Sequence, residues 1–465
     1  MKILPLTIVS IPLFWLTACI SAPPYQGAPA IELAPQWTAS KNHAESSLNL
    51  EKWWQYFNDP QLNLLINEGL AYNHDVRLAV MKIEEAHAIM TASRSQFLPS
   101  ADLDLRHSNS RNSEAVNKIN SRYQTRNYVG AAIGWEVDIF GRIRHGVAAN
   151  SARYEQSVEE ADGVRLSIST EIVRSYFGLS SAQHELQAQQ QIIKNLLAMR
   201  NVVTRRVQAG DLPRIEIESI DARLQTAQAI IPEIEARIQA NLLALSILTG
   251  GQPDKQMQLG AAVVALPSLP DIPVGKPADI LRRRPDIRAA ERQLAVSNAE
   301  LGAAIAEQFP KLAINASGGF DALSSARLIQ AANQSWSVVP FISWRILDGG
   351  KVKAEIHAAK AREKMAALHY EQTVLTALNE AETAMSNYHY YRQGVKYSSK
   401  AARAAQQILQ SQLRRFQAGD ISMADLLEAQ RNFAQAEYSY AVAYGHATRA
   451  MVDVIKALGG GLQQS

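Results

Sequence analysis

The sequence has almost no cysteine and, beyond its first residues, no long apolar run. Cys19 is the only cysteine among 465 residues, so no intramolecular disulfide can form and no cysteine-based zinc site can be built. After residue 18 the chain has no apolar stretch of about 18 residues, the length that a membrane-spanning helix requires. These two absences exclude a disulfide scaffold and a helical membrane anchor in the mature chain.

Charge of one sign and catalytic motifs are also missing. The chain has 47 basic and 44 acidic residues, a net charge of +3 and 7% aromatic residues, and no basic face interleaved with aromatics marks a nucleic-acid surface. It has no phosphate loop, no His-Glu-x-x-His motif and no Gly-x-Ser-x-Gly motif, and its ten histidines are scattered. We therefore expect no enzyme activity, no metal site, no cofactor and no nucleic-acid partner.

The N-terminus has the features of a secretory signal. Residues 1–18 begin with a basic residue, continue as a short apolar run and end in small residues before Cys19. This ending resembles a bacterial lipobox, which predicts that Cys19 carries covalent lipid such as palmitate and opens a lipid-anchored, proline-rich linker over 19–52. The alternative is an ordinary signal peptide cut near Ala18. By resemblance to lipoprotein sorting, Ile20 in place of aspartate favours the outer membrane.

One phrase occurs twice in the chain. Residues 205–211 read RRVQAGD and residues 414–420 read RRFQAGD, and the same spacing separates two tryptophans, Trp135 and Trp344. Self-similarity of this kind indicates a repeated structural unit. The sequence therefore predicts a first repeat over 53–260 and a second over 261–465.

Each predicted repeat begins with a helix and continues with two strands. The helical periodicity stops at Pro99 in the first repeat and at Pro310 in the second, and apolar residues then alternate with small or polar ones. The alternation predicts strands at about 100–108 and 126–139, and at about 311–320 and 335–347. Each strand has one apolar face, which suits either lipid or the core of a soluble β subdomain.

A long helical hairpin completes each repeat, over 145–249 in the first and 351–458 in the second. Apolar residues recur every seven positions, as in Ile217, Leu224, Ile231, Ile238 and Leu245, which predicts coiled-coil packing. The repeated phrase then marks the turn of each hairpin, because glycine accepts the left-handed conformation that ends a helix. Either Asp211 or Ser422 has the chemistry to start an outgoing helix, and Pro232 should bend its helix locally.

Four strands per chain are too few to close a barrel alone. Unpaired strand edges cannot face lipid, and about eight strands make the smallest common barrel. Strands that span a membrane must therefore be shared between chains, so that a dimer has eight and a trimer twelve. A purely structural, lipid-tethered coiled-coil protein is the alternative, but such a protein has no need of alternating strands inserted at matching positions in both repeats.

Several segments together resemble the outer membrane factor family of TolC-like proteins, and its NodT-type efflux lipoproteins in particular. The segments are WWQYFNDPQLNLLI at 53–66, GWEVDIFGRIR at 134–144, LRRRPDIRAAERQL at 281–294, ILDGGKVKAEI at 346–356 and RRFQAGDISMADLLEAQR at 414–431. The resemblance implies a mainly α fold with a β-barrel part: long antiparallel hairpins forming a coiled-coil tunnel, and four transmembrane strands per chain in a twelve-stranded barrel shared by a homotrimer. Such a trimer would be the outer-membrane exit duct of a tripartite efflux pump.

The resemblance also implies partners and site residues. The partners are a periplasmic adaptor and an inner-membrane transporter of the resistance-nodulation-division type. The two hairpin turns, with Gly210, Asp211, Gly419 and Asp420, would form the periplasmic tip that contacts the adaptor. Asp425, Glu428 and Arg431 are the gate and selectivity candidates, which in three copies would ring a narrow aperture. Glu216 and Glu218 of the first hairpin are weaker candidates.

The cargo does not follow from these residues. Drugs, other small toxic compounds, heavy metals and exported proteins of type I secretion systems all leave through ducts of this design. The nine methionines are dispersed, and this favours drugs over copper.

Overall fold

The structure is a computed structural model of the whole chain. It describes residues 25, 27–38, 50–111, 113, 123–261, 263–264, 266, 269–272 and 274–460. Cys19, the signal segment 1–18 and most of the predicted linker lie outside the described residues.

The described residues form nine α-helices and four β-strands. The helices are α1 (Pro60–Tyr72), α2 (His74–Arg94), α3 (Arg142–Gln208), α4 (Ile215–Ala229), α5 (Ile231–Leu248), α6 (Ile280–Arg283), α7 (Pro285–Ala306), α8 (Lys351–Gln417) and α9 (Met423–Ala457). The strands are β1 (Ser100–Arg111), β2 (Tyr123–Val137), β3 (Lys311–Ala322) and β4 (Gln334–Ser343). Short 3₁₀ turns lie between several of these elements, and the whole is mainly helical, as expected.

Two helix interruptions have local causes. Between α1 and α2, the side-chain oxygen of Asn73 accepts hydrogen bonds from the N–H groups of Asp75 and Val76, at 2.8 and 3.2 Å, and so caps α2. Between α4 and α5, Pro232 occupies the first turn of α5, where its missing N–H is tolerated. The first hairpin therefore returns as two helices, whereas the second returns as the continuous helix α9.

The chain divides into two compact units. The sheet unit includes Glu84–Gln156 and Ala290–Tyr370, and the hairpin unit includes Ala30–Ile83, Ser157–Ala289 and the chain from residue 371 onward. Each unit takes segments from both sequence repeats. The repeats at 53–260 and 261–465 are therefore sequence units and do not coincide with the compact units.

One antiparallel sheet contains all four strands in the order β1-β2-β3-β4. Within the described residues β1 and β4 are its edges. The central pairing joins the two repeats, since Ile133 of β2 lies opposite Ala316 of β3. The ladder between β3 and β4 ends where Lys311 lies opposite Ser343, so β4 is shorter than the predicted 335–347. Beyond that end, the indole nitrogen of Trp344 donates to the carbonyl of Gln308 at 3.0 Å.

The register brings the apolar faces of all four strands to one side of the sheet. Across the middle row, Ala101 lies opposite Ile133, Ile133 opposite Ala316, and Ala316 opposite Val338. Because side chains alternate along a strand, the other side carries mostly small, polar and charged residues, together with Val339 and Phe341 of β4. No described residue of the sheet unit covers the apolar side, and its large members are exposed: Leu103, Leu105, Trp336, Val338 and Ile342.

The helical cores keep the predicted spacing of seven residues, but Ile217, Ile231 and Ile238 of the predicted seam are only partly buried. In the hairpin unit, Ile220, Ala227 and Ile234 are buried at seven-residue intervals, and Leu224 packs with Ile192 and Leu196 of α3. In the sheet unit, Leu301 of α7 packs with a buried face of α8. None of the helices in the described part of the chain is long and apolar enough to cross a membrane.

Candidate functional site

The two hairpin turns have the same backbone geometry. In the first, Gly210 has φ +81°, and the N–H of Asp211 donates to the carbonyl of Arg206 at 2.8 Å. In the second, Gly419 has φ +82°, and the N–H of Asp420 donates to Arg415 at 2.9 Å. This is the Schellman motif, and it satisfies the last carbonyls of α3 and α8. The repeated phrase is thus explained by one helix stop that the chain uses twice.

The helices that leave the two turns start differently. Ser422 is the N-cap of α9, and its hydroxyl accepts from the N–H of Asp425 at 3.2 Å. In the first hairpin α4 begins only at Ile215, after Pro213, and Arg214 in the cap position makes no side-chain hydrogen bond. The idea that Asp211 starts this helix is therefore wrong, because Pro213 and Arg214 separate it from the first turn of α4.

Asp425 completes a capping box. Its Oδ2 accepts from the backbone N–H of Ser422 at 3.0 Å and from the Ser422 hydroxyl at 2.7 Å. These hydrogen bonds stabilise the carboxylate and lower the pKa of Asp425 below its ordinary value. The side chain is exposed, so the carboxylate stays charged at neutral pH and holds the first turn of α9.

Glu428 and Arg431 form an ion pair within α9, one turn beyond Asp425. A terminal nitrogen of Arg431 donates to Oε1 of Glu428. The buried Nε of Arg431 has no hydrogen-bond partner anywhere in the described ranges, and a buried donor of this kind favours a further acceptor. The structure thus places the three gate candidates within the first three turns of one helix.

The first hairpin contains an ion pair that the sequence analysis did not identify. Arg200 of α3 donates to both carboxylate oxygens of Asp221 in α4, at 2.5 and 3.1 Å. The hydrogen bond from Arg200 lowers the pKa of Asp221. Arg200 and Asp221 lie about ten positions before and after Gly210. Residues at equal distances from the turn of an antiparallel hairpin lie at the same height, so their side chains can meet. Glu216 and Glu218 are exposed.

A groove runs beside Arg431 in the hairpin unit. Its volume is about 490 Å³, and its lining combines apolar and polar side chains. The lining residues come from α3, α4 and α9 and the residue after α4: Gln189, Ile192, Leu196, Ala222, Arg223, Thr226, Ala227, Ile230, Arg431, Asn432, Gln435 and Tyr438. In the described portion of the chain, no three His, Cys, Asp or Glu side chains cluster in a way that could hold a metal ion.

These features define a class of protein. Two long helical hairpins with matching turns, joined in one chain to a four-stranded sheet with one apolar face, are the architecture of a channel protein of the bacterial outer membrane. A family model described as "Outer membrane efflux protein" matches residues 65–251 and 277–460. The chain belongs to this family.

Individual relatives agree with the family match. Nodulation protein T of Rhizobium leguminosarum bv. trifolii is 27% identical over 92% of this chain and 91% of its own length. The solvent efflux pump outer membrane protein SrpC of Pseudomonas putida is 26% identical over 97% of this chain and 98% of its own. The solved structure of the outer-membrane channel OprN has a TM-score of 0.85 at 29% identity, over 95% of this chain and 99% of that one.

The principal sequence predictions are confirmed by these comparisons. The resemblance to TolC-like, NodT-type proteins is correct, the fold is mainly helical with a small β part, and the chain is an outer-membrane efflux protein. The family members are outer-membrane channel proteins.

Proposed function

We propose that this chain is the outer-membrane exit duct of a tripartite efflux pump and works as a homotrimer without catalytic activity. The observation that supports the proposal is the sheet, which has one apolar face on all four strands and edges at β1 and β4. A sheet with open edges has unsatisfied backbone groups and cannot enter lipid. Pairing β4 of one copy with β1 of the next closes a barrel, and three copies supply twelve strands around a water-filled bore.

The hairpins fit the periplasmic part of such a duct. We place Gly210, Asp211, Gly419 and Asp420 at the tip that contacts a periplasmic adaptor, which connects to an inner-membrane transporter of the resistance-nodulation-division type. In a trimer the two exposed turns of each chain give six turns of one backbone geometry, a repeating surface that an adaptor can recognise.

The gate is assigned to Asp425, Glu428 and Arg431. In a trimer three copies of the segment would surround a narrow aperture, where the carboxylates attract cations. Arg431 keeps a buried Nε for which the described residues supply no acceptor, so it can bind an acceptor that a neighbouring helix or a moving α9 brings close. The capping box of Asp425 would keep the start of α9 rigid while the gate opens.

Lipid on Cys19 completes the proposal. One acylated residue adds membrane affinity, whereas the barrel would span the bilayer. The proposed cargo is a drug or another small toxic organic compound, since a relative of similar length is named for solvent efflux. Heavy-metal efflux and type I secretion are the other pathways that use such ducts.

The test combines oligomeric state and conductance. The full-length protein, extracted from outer membranes, should run as a trimer in native mass spectrometry and should conduct ions in planar bilayers. A folded monomer that never conducts, even with the gate changes Asp425→Asn and Glu428→Gln, would support a structural tether instead. The variant with neutral gate residues is included because a closed gate would also prevent conductance in a protein that has a bore.

The cargo is tested in cells. A deletion strain should become hypersensitive to organic solvents and antibiotics, and expression of the intact chain should restore resistance. Hypersensitivity to copper or silver alone would identify a heavy-metal duct. Loss of one secreted protein with unchanged resistance would identify a secretion duct.

A further inference from the structure

The polar side of the sheet carries charged residues at the end where its hairpin loops lie. In the register, Asp104 of β1 lies opposite Gly130, Arg106 lies opposite Tyr128, and Tyr128 lies opposite Asp321 of β3. Arg126 is two positions from Tyr128 on β2 and therefore shares its side of the sheet. By the same alternation Asp102 shares the side of Asp104.

Two ion pairs hold four of these residues. The Nε of Arg126 donates to both carboxylate oxygens of Asp321, at 3.0 and 2.9 Å, and so connects β2 to β3. Within β1 the Nε of Arg106 donates to Oδ1 of Asp104 at 2.9 Å. Asp102 is exposed and, in the described part of the chain, has no ion-pair partner. These five residues have three carboxylates and two guanidinium groups, so their net charge is one negative charge per chain.

The rest of this side of the sheet has no such excess. Near the helices, Glu136 accepts from Arg142 at 2.8 and 2.9 Å, and Lys311 contacts Glu307 at 2.8 Å. Between the two ends Asp102 lies opposite Ala132, in the row of Ser317, and it is the charged residue of this middle part; its neighbours, such as Gly134, are small or uncharged. The charged residues on this side of the sheet therefore extend from the middle row, where Asp102 lies, to the rows nearer the hairpin loops, where Arg106 and Arg126 lie.

We infer that Asp102, Asp104, Arg106, Arg126 and Asp321 form a charge belt that sets the ion preference of the duct in its β-barrel part. The inference rests on the proposed function, because it requires that the apolar side of the sheet faces lipid and the polar side faces the bore. Charged side chains in a spanning sheet are tolerated on the side away from lipid. Three copies of the belt carry three unbalanced carboxylates, which favour the passage of cations and of positively charged solutes.

The belt is distinct from the gate candidates. It lies on β1, β2 and β3 of the sheet unit, whereas Asp425, Glu428 and Arg431 lie on α9 in the hairpin unit. A solute leaving the duct would therefore be subject to two separate charge-based preferences. The two contributions to ion preference can be measured separately, because substitutions in the belt leave the gate residues unchanged and substitutions in the gate leave the belt unchanged.

The experiment measures the ratio of cation to anion permeability from reversal potentials in planar bilayers under a salt gradient. Arg126→Gln should raise the ratio about threefold and Asp321→Asn should lower it about threefold, for three charges about 10 Å from the axis and screening over about 8 Å. The double variant has the parent net charge and should return to the parent ratio. That recovery separates a charge effect from damage, because both changes break the same ion pair.

Two further variants complete the design. Asp102→Asn removes an unpaired carboxylate without breaking an ion pair and should lower the ratio as Asp321→Asn does, even if the other variants fail to assemble. Arg392→Gln removes an arginine that pairs with Asp271 outside the sheet and should leave the ratio unchanged.

The two ideas fail in different ways. If neither the parent protein nor the variant with Asp425→Asn and Glu428→Gln conducts, the proposed function is wrong. If the parent conducts and the assembled belt variants all keep its ratio, or both single variants shift it in the same direction, the charge belt is wrong while the duct stands. An equal shift in Arg392→Gln would also contradict the belt.

Discussion

Replacing Val338 or its neighbour Ser337 with arginine tests which side of the sheet faces lipid. The two positions are adjacent on β4, so their side chains point to opposite sides. Val338 lies in the row of Ala316 and Ile133, the middle one of five apolar rows. Ser337 lies opposite Ser317, and their hydroxyl oxygens are 2.9 Å apart.

The expected loss in free energy of unfolding is much larger for Val338→Arg than for Ser337→Arg, and the difference is large enough to measure. Five rows at two-residue spacing extend about 27 Å along the strands, or about 20 Å across the bilayer at a tilt of about 40°, close to the usual apolar band of about 25 Å. An arginine in the middle row therefore costs about 2–4 kcal/mol per chain, or about 6–12 kcal/mol per trimer. At Ser337 the loss is one exposed hydrogen bond, about 1 kcal/mol per chain or less.

The assay is urea unfolding of protein refolded into phosphatidylcholine bilayers, with gel mobility as a check on trimer assembly. Val338→Arg should lower the unfolding midpoint strongly or abolish assembly, while Ser337→Arg should stay close to the parent. Equal losses at both positions, or a greater loss at Ser337, would refute the assignment of the apolar side to lipid. The duct proposal would then lose its main support.

Three further predictions concern the helices and the N-terminus. Gly445→Ala should lower the melting temperature, because a Cβ there would lie 2.3 Å from Oγ of Ser181 on α3. At Gly394 a Cβ would have no atom within 4 Å. Gly394→Ala should therefore raise the free energy of unfolding by about 1 kcal/mol through helix propensity, and the melting temperature with it. Asp425→Asn with Glu428→Gln should lower the cation preference measured by reversal potentials, and an unchanged preference would remove these residues from the gate. Cys19→Ser should abolish labelling with radioactive palmitate and reduce sorting to the outer membrane, but assembled trimer should persist; complete loss of trimer despite normal export would show that lipid is needed for folding.

Local patterns were sufficient to locate most elements of the fold. A helical period, a period of two and a repeated glycine turn are properties of neighbouring residues, so they can be read without knowing what lies across the chain. The geometry of the turn at Gly419 follows from the local sequence in this way, because the turn that ends the helix requires a left-handed backbone conformation, which glycine adopts readily. At Pro232 the sequence predicted a local bend, and the structure instead has a boundary between two helices, α4 and α5.

The candidate site was predicted less completely. The segment of Asp425, Glu428 and Arg431 was identified from family resemblance, but the sequence did not show that Asp425 is engaged in a capping box. It also did not identify the pair of Arg200 and Asp221. Both arrangements depend on which side chains come within hydrogen-bond distance after the helices have packed, and many charged residues on these helices compete for that role.

The sequence alone determined the two repeats, the long hairpins, the strands and the family, since each depends on order along the chain. Only the tertiary structure decided that Ile133 lies opposite Ala316, that the apolar faces of all four strands share one side, and that Arg126 meets Asp321. Strand register is the reason: a shift of one residue leaves every local pattern intact but moves each side chain to the other side of the sheet. The pairing across the two repeats therefore had to be seen in three dimensions.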